Sequence, residues 1–181
     1  MDRTVELTPM LCLKCSAPIP ASQMEAAWAC GVCGQGMYLD EVEGLAALDI
    51  RYMAPANPGK PGRPFWVPGG HAELARETFK GKADRQASQF WSEARQFYVA
   101  AFDCPLEELL ALGMGMLKKP PRLQAGPPVP FEPVTLPMAS VRPAAEYILV
   151  ALEAERKDKL RRLDFTLQLS TPELWVLPPE G

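Results

Sequence analysis

The sequence predicts an α+β fold in which a small cysteine-rich unit precedes a mostly antiparallel sheet with two helices and a C-terminal hairpin. Three observations carry that expectation. Two Cys-x-x-Cys pairs fall within residues 12–33. Short apolar runs of strand length, bounded by Gly, Pro, Ser and Thr, recur through the middle and the end of the chain. Two stretches, near 106–119 and 140–159, have the length and apolar content of helices that bury a face.

Cys12, Cys15, Cys30 and Cys33 stand as Cys-Leu-Lys-Cys and Cys-Gly-Val-Cys, with fourteen residues between the pairs. Two residues between cysteines let the backbone curl so that both sulfurs reach one ion, and two such knuckles complete a tetrahedron. The intervening residues fit a hairpin that runs out through Ser16–Pro20, turns at Ala21–Gln23 and returns through Ala26–Ala29. Gly34 follows the second pair and frees the backbone for positive φ, and Met37-Tyr38-Leu39 reads as the next strand. Over residues 10–42 the chain resembles a zinc ribbon of the rubredoxin-like type. The resemblance implies that Cys12, Cys15, Cys30 and Cys33 ligate one structural Zn2+, with Trp28 as the unit's small core. Iron accepts the same four thiolates and is the minor alternative; the short spacing, and Ser16 where such motifs carry glycine, favour zinc. A set of four sulfurs leaves no position for substrate.

After the cysteines, strands are expected near Leu45–Met53 and Phe65–Val67. Ala72–Lys80 fits strand or helix, and Phe97–Phe102 a strand. A helix then starts near Leu106, capped by Asp103 or Cys104 with Pro105 in its first turn and ended by Lys118 and Lys119. Gly113 and Gly115 weaken its last turn. A second helix is expected over Ser140–Lys159, with Pro143 in its first turn and Glu153, Glu155 and Asp158 on a solvated, charged end. Leu163, Phe165, Leu167 and Leu169 alternate with polar residues as a half-buried strand, Ser170-Thr171-Pro172 turns, and Leu174–Leu177 returns as its hairpin partner. Nine of the seventeen residues from Ala54 to Gly70 are proline or glycine, and six of the fourteen from Pro120 to Pro133 are proline, so 54–70 and 120–133 read as connectors. The expected organisation is residues 1–50 for the cysteine unit and the following strand, and 51–181 for the α+β body.

Length and composition, 181 residues with 48 % hydrophobic and 23 % charged, fit a soluble globular protein. The longest apolar run, Tyr147–Leu152, is too short to span a bilayer. Met1, Asp2, Arg3, Thr4, Val5 and Glu6 lack the apolar core of a secretory leader, so reduced thiols and a cytoplasmic location are expected. Residues 1–50 hold two basic side chains, Arg3 and Lys14, against seven acids. That balance repels phosphates, and a protein partner is the expectation for this end. Residues 51–99 are basic and interleaved with aromatics. The alternative function, a nucleic-acid-associated protein, would use this segment, with Arg76, Lys80 and Lys82 on phosphates and Trp66 and Trp91 stacking on bases.

No catalytic set is expected. His71 is the single histidine and reads as a turn residue in Pro-Gly-Gly-His; Cys104 is the odd cysteine and reads as a small buried hydrophobe. The function expected from sequence is a non-catalytic accessory or adaptor protein that docks on a protein partner, its metal purely structural.

Overall fold

The computed structural model describes residues 9–54, 59–79 and 84–179. Its strands are β1 (Ala27–Ala29), β2 (Gly36–Asp40), β3 (Gly44–Leu48), β4 (Ile50–Tyr52), β5 (Arg63–Val67), β6 (Gly69–Thr78), β7 (Arg95–Gln96), β8 (Val99–Ala100), β9 (Leu160–Leu169) and β10 (Glu173–Leu177). Its helices are α1 (Asp84–Ser92), α2 (Leu106–Lys118) and α3 (Val141–Ala154), the last entered through a 3-10 turn at Met138–Ser140. The class is α+β, with three sheets and three helices. None of the described helices is long and apolar enough to cross a membrane.

The sheets are β1-β2-β3, β4-β10-β5-β8 and β7-β6-β9, antiparallel throughout except that β10 runs parallel to β4. The single body sheet expected from sequence is therefore two sheets, and the reason lies along one line of the structure. Between β5 and β6 stands Pro68, which has no N–H for a ladder; its carbonyl accepts from Phe97 N–H at 2.9 Å. At the same level the segment expected as one strand divides: Arg95–Gln96 pair with Gly69–Gly70, while Val99–Ala100 pair with Trp66 and Phe65. The end of the chain divides there too. Leu169 pairs with Gly70 on β6, Glu173 pairs with Val67 on β5, and Ser170 secures the crossing by N–H to Gly69 O at 2.8 Å and by Oγ accepting from Gly69 N–H at 2.9 Å. The C-terminal hairpin is thus not formed: β9 and β10 belong to different sheets.

Strands β5 and β10 are buried on both faces. Trp66, Leu174 and Val176 join one core cluster with Trp91, Phe97, Ile148 and Leu149; Phe65, Val67, Trp175 and Leu177 join a second with Tyr98 and Phe102. This is why both strands read as unbroken apolar runs. Leu45–Met53, expected as one strand, breaks at Asp49 into β3 and β4 of different sheets.

Helix α1 was not anticipated. Its Ala87 and Trp91, four residues apart, are fully buried, a helical spacing hidden by the aromatic pair Phe90-Trp91. Helix α2 lies where expected, but Pro105 is its N-cap and no side chain caps it. Gly113 has a packing role: a Cβ there would collide with the Ile148 side chain of α3, while one at Gly115 meets nothing within 4 Å.

Helix α3 stops at Ala154, five residues short of the expected end, and Lys159 adopts φ 51° as the chain turns into β9. The cause is a buried ionic cluster. Arg76 on β6 contacts Glu153 through Nε at 2.8 Å and Asp158 through Nη1 at 2.7 Å, with all three side chains at most 3 % exposed. Glu153 also accepts from Trp91 Nε1 at 2.7 Å and from Arg156 Nε at 2.8 Å. Glu153 and Asp158 are therefore interior groups, not members of a solvated helix end. The Asp158 carboxyl is held below its ordinary range, first by the Arg76 hydrogen bonds, with burial opposing.

The proline-rich segment after α2 is a strap rather than a free connector. It bonds the body through Gly62 N–H to Pro130 O (2.8 Å), Glu132 N–H to Gly62 O (2.9 Å) and Thr135 N–H to Ala101 O (2.7 Å). It bonds the cysteine-bearing unit through Ala26 N–H to Val134 O (2.7 Å).

Gly113→Ala is expected to lower stability by about 1–2 kcal/mol through overpacking, while Gly115→Ala raises it by about 0.5–1 kcal/mol through helix propensity; urea midpoints of the two variants should move in opposite directions. Arg76→Met, which removes the guanidinium shared by two buried carboxylates and leaves Glu153 paired with Arg156, is expected to cost about 3–5 kcal/mol in the same assay. Because the folded pKa of Asp158 lies below the unfolded value of about 3.9, its contribution is complete above that value and is lost as pH falls through the folded one. The melting-temperature gap between wild type and Asp158→Asn should therefore be widest near neutrality and close below about pH 4.

Candidate metal centre

The two knuckles are built alike. In the first, Cys12 N–H donates to Ala17 O at 2.9 Å and Ser16 N–H to Cys12 O at 2.9 Å; in the second, Cys30 N–H donates to Gln35 O at 2.8 Å and Gly34 N–H to Cys30 O at 2.9 Å. Each also turns one amide onto its first sulfur: Lys14 N–H to Cys12 Sγ and Val32 N–H to Cys30 Sγ, both at 3.4 Å. Ser16 and Gly34, one residue past each pair, take φ of 58° and 73°. Glycine takes that conformation freely; Ser16 does so against the steric preference of an L residue, held by the knuckle's own bonds.

The strands that present the knuckles differ from the expected hairpin. Residues 16–29 do not pair back on themselves. Leu11 bridges Pro18 around the first knuckle, and β1 pairs with β2 around the second, Trp28 opposite Met37. Proline at 18 and 20 limits laddering in the outgoing arm, so the return strand finds its partner after the second knuckle. Trp28 is buried with Ile19, Met37, Cys12 and Cys30, and its Nε1 donates to Glu25 Oε2 at 2.9 Å.

All four sulfurs lie within 4.8 Å of one another, with Cys12–Cys33 and Cys15–Cys30 each at 3.6 Å. Cys12 and Cys30 are buried, Cys33 is partly buried and Cys15 is exposed. Such a cluster can hold a metal ion. Its electrostatics point the same way. The Cys15 N–H, followed by that of Lys14, lowers the Cys12 thiol to about 6, and the N–H groups of Cys33 and Val32 lower Cys30. For Cys15 the Ala17 N–H favours the thiolate, but desolvation and the three neighbouring sulfurs outweigh it and push the thiol up to about 12. Four thiolates at this separation repel one another, and a central cation removes that obstacle.

The remaining sequence candidates are dispersed. Trp66 is fully buried and donates Nε1–H to Leu136 O at 2.8 Å; Trp91 is buried and bonded to Glu153; Arg76 lies in the ionic cluster. These three are interior side chains, so their rings and charge are not on a surface that a base or phosphate could reach. Lys80 and Lys82 lie outside the described residues. His71 is in strand β6 opposite Gln168, not in a turn. Cys104 is partly buried, and desolvation, then Glu108, raises its thiol above the ordinary value, which keeps it protonated and unreactive. What sequence reasoning missed at the centre is the pair of amides from Lys14 and Val32; the Cys-x-x-Cys spacing itself is the signal that places them.

No protein-family model, no curated protein and no solved structure matches this chain.

Ser16→Gly is expected to stabilise the unit and Gly34→Ala to destabilise it, each by about 1 kcal/mol. A Cβ at position 34 meets nothing within 4 Å, so the second effect is one of backbone alone. Competition against a chromophoric chelator would read both as opposite shifts in the apparent metal affinity.

Proposed function

We propose that residues 10–42 are a zinc ribbon holding one structural Zn2+ on Cys12, Cys15, Cys30 and Cys33, and that the chain is a non-catalytic accessory or adaptor protein that docks on a protein partner. The observation that carries the metal reading is the sulfur spacing. A tetrahedron with Zn–S bonds of about 2.3 Å has edges of about 3.8 Å, close to the 3.6 Å of the Cys12–Cys33 and Cys15–Cys30 pairs. Four sulfurs fill the tetrahedron, so the ion's role is to supply folding energy to a unit with a small core, about 10–16 kcal/mol at neutral pH.

The surface around the ion supports a protein partner. Leu13 and Val32, one on each knuckle, are 55 % and 76 % exposed, and Met24, Leu39 and Val42 are exposed on the same unit. Exposed apolar side chains on one small unit favour a contact surface, and Glu25, Asp40, Glu41, Glu43 and Asp49 make the same stretch of chain acidic. The alternative, a nucleic-acid-associated protein working through residues 51–99, is weakened by the burial of Arg76, Trp66 and Trp91.

Native mass spectrometry of gently purified protein, with sulfur coordination read by X-ray absorption, tests the reading. One zinc with four sulfurs and a protein companion is expected. A nitrogen or oxygen ligand on the ion, or a bound oligonucleotide with steep salt dependence, would overturn it.

A further inference from the structure

Strand β1 uses only one of its edges fully. Leu39 N–H donates to Ala26 O at 2.9 Å and Cys30 N–H to Gln35 O at 2.8 Å. Ala26 N–H itself turns to Val134 O at 2.7 Å, and in the β1–β2 register the remaining bonds place Trp28 and Met37 as a hydrogen-bonded pair, so the N–H and C=O of Ala29 turn toward the opposite edge. There the chain's own strap supplies a partner to Ala27 through a bridge with Val134. Beside Ala29 it does not. Between β1 and the strap lies a groove of about 510 Å3, with Trp28, Ala29 and Gly31 on one side and Pro128, Pro130 and Phe131 on the other. Glu25 is the one acidic or basic side chain lining it among the described residues. Both hydrogen bonds of that carboxylate, from Ser22 N–H at 2.8 Å and Trp28 Nε1–H, fall on Oε2, leaving Oε1 for another donor.

We propose that this groove is where the partner protein docks, binding an extended segment that adds to β1 beside Ala29, lays an apolar side chain against Trp28 and the strap prolines, and sets a lysine or arginine on Glu25. The proposal rests on the adaptor reading and names the site and the chemistry of its partner. An exposed strand edge recognises backbone, and the adjoining apolar walls select side chains. The strap's own Val134 demonstrates that this edge takes extended chain. Charge chooses the kind of segment. Residues 9–50 hold one basic side chain, Lys14, against Glu25, Asp40, Glu41, Glu43 and Asp49, a field that draws a cationic peptide and repels a phosphate backbone.

Gly31 offers a clean way to block the site. It lines the groove, a Cβ there meets nothing within 4 Å, and the matching position of the first knuckle already carries Leu13. The zinc-loaded full chain would be used to select from a displayed library of random hexapeptides, and enriched peptides titrated against wild type, Gly31→Trp and Glu25→Gln, with metal content measured in each. The expected result is enrichment of peptides alternating apolar and basic residues, whose affinity falls at least tenfold in both variants while each keeps one zinc. No enrichment, enrichment of acidic peptides, or undiminished binding to Gly31→Trp would overturn the proposal. Wild type and Gly31→Trp used as bait separate the two levels of inference. A protein companion retained equally by both removes the groove but keeps the adaptor reading; oligonucleotide as the companion of both removes the adaptor reading as well.

Discussion

Arg76 is a guanidinium with 2 % of its side chain exposed, and an arginine in that position requires anions and acceptors around it, because an isolated buried charge costs several kcal/mol even after relaxation. Glu153 and Asp158 supply them, and in doing so tie together parts of the body that are distant in sequence. Trp91 brings α1 onto the same carboxylate; Arg156 closes over it from the loop after α3. To place Asp158 on Arg76, the chain must leave helix geometry after Ala154 and reverse through Lys159 in a left-handed conformation. It then enters β9 in a register that sets Leu163 opposite Arg76. The long β6–β9 ladder, the end of α3 and the seat of α1 follow from one cation. A cluster of this kind need not outdo an apolar core of equal volume, but removing one member leaves the others uncompensated, so its main consequence is that alternative registers are penalised.

The cysteine-bearing unit depends on a different constraint. Its buried cluster is small, Cys12, Ile19, Trp28, Cys30 and Met37, and two of those five belong to the four-cysteine cluster. Desolvation and the neighbouring sulfurs raise the Cys15 thiol, and on the function proposed above a cation shared by all four sulfurs would cross-link the unit. The strap transmits that order to the body. Val134 pairs with Ala27, and immediately after it Thr135 and Leu136 N–H both donate to Ala101 O, at 2.7 and 3.0 Å. Ala27, Leu48 and Ile50 in turn contribute to the main core beside Trp66 and Leu174. The unit is docked on the body by backbone bonds and apolar contact together.

The parts of this architecture legible in sequence are those set by local chemistry. The paired Cys-x-x-Cys motifs do converge, their four sulfurs lying within 4.8 Å of one another. Continuous apolar runs at Phe65–Val67 and Leu174–Leu177 were legible as strands, though not their burial on both faces. The sheet crossing was not legible, because Ser-Thr-Pro after β9 is equally good turn chemistry for a hairpin and for a bend between sheets. Only the partners of Leu169 and Glu173, remote in sequence, decide between them. Glu153 and Asp158 were misplaced for a related reason. Acids spaced four residues from lysine or arginine on a helix look solvated, and nothing local reveals that a guanidinium about eighty positions earlier reaches both. At the candidate centre the clustering of four cysteines was legible, while the groove beside β1 was not, since it is formed with a strap a hundred residues away.

Charge distribution follows the same rule, and it bears on what the molecule can bind. In sequence, residues 51–99 look like a basic stripe. In the fold, Arg63 meets Glu108 and Glu132 and lies 4.0 Å from the Phe102 ring centroid. Arg51 meets Asp49 and Glu173, Arg95 meets Glu93 and covers Phe90, and Arg76 is interior. Among the described residues, four arginines of the stripe are thus met by acids, and of those acids Glu108, Glu132 and Glu173 come from remote segments. The N-terminal unit moves the other way. Asp40 is stabilised as a carboxylate by the N–H groups of Glu43 and Val42 rather than by a cation, and on the function proposed above four thiolates on one zinc would add two further negative charges by formal count. Folding thus pairs Arg51, Arg63, Arg76 and Arg95 with acids, while the Asp40 carboxylate is held by backbone N–H groups. On the function proposed above, negative charge around the cysteine cluster would favour a cationic protein segment over a phosphate backbone.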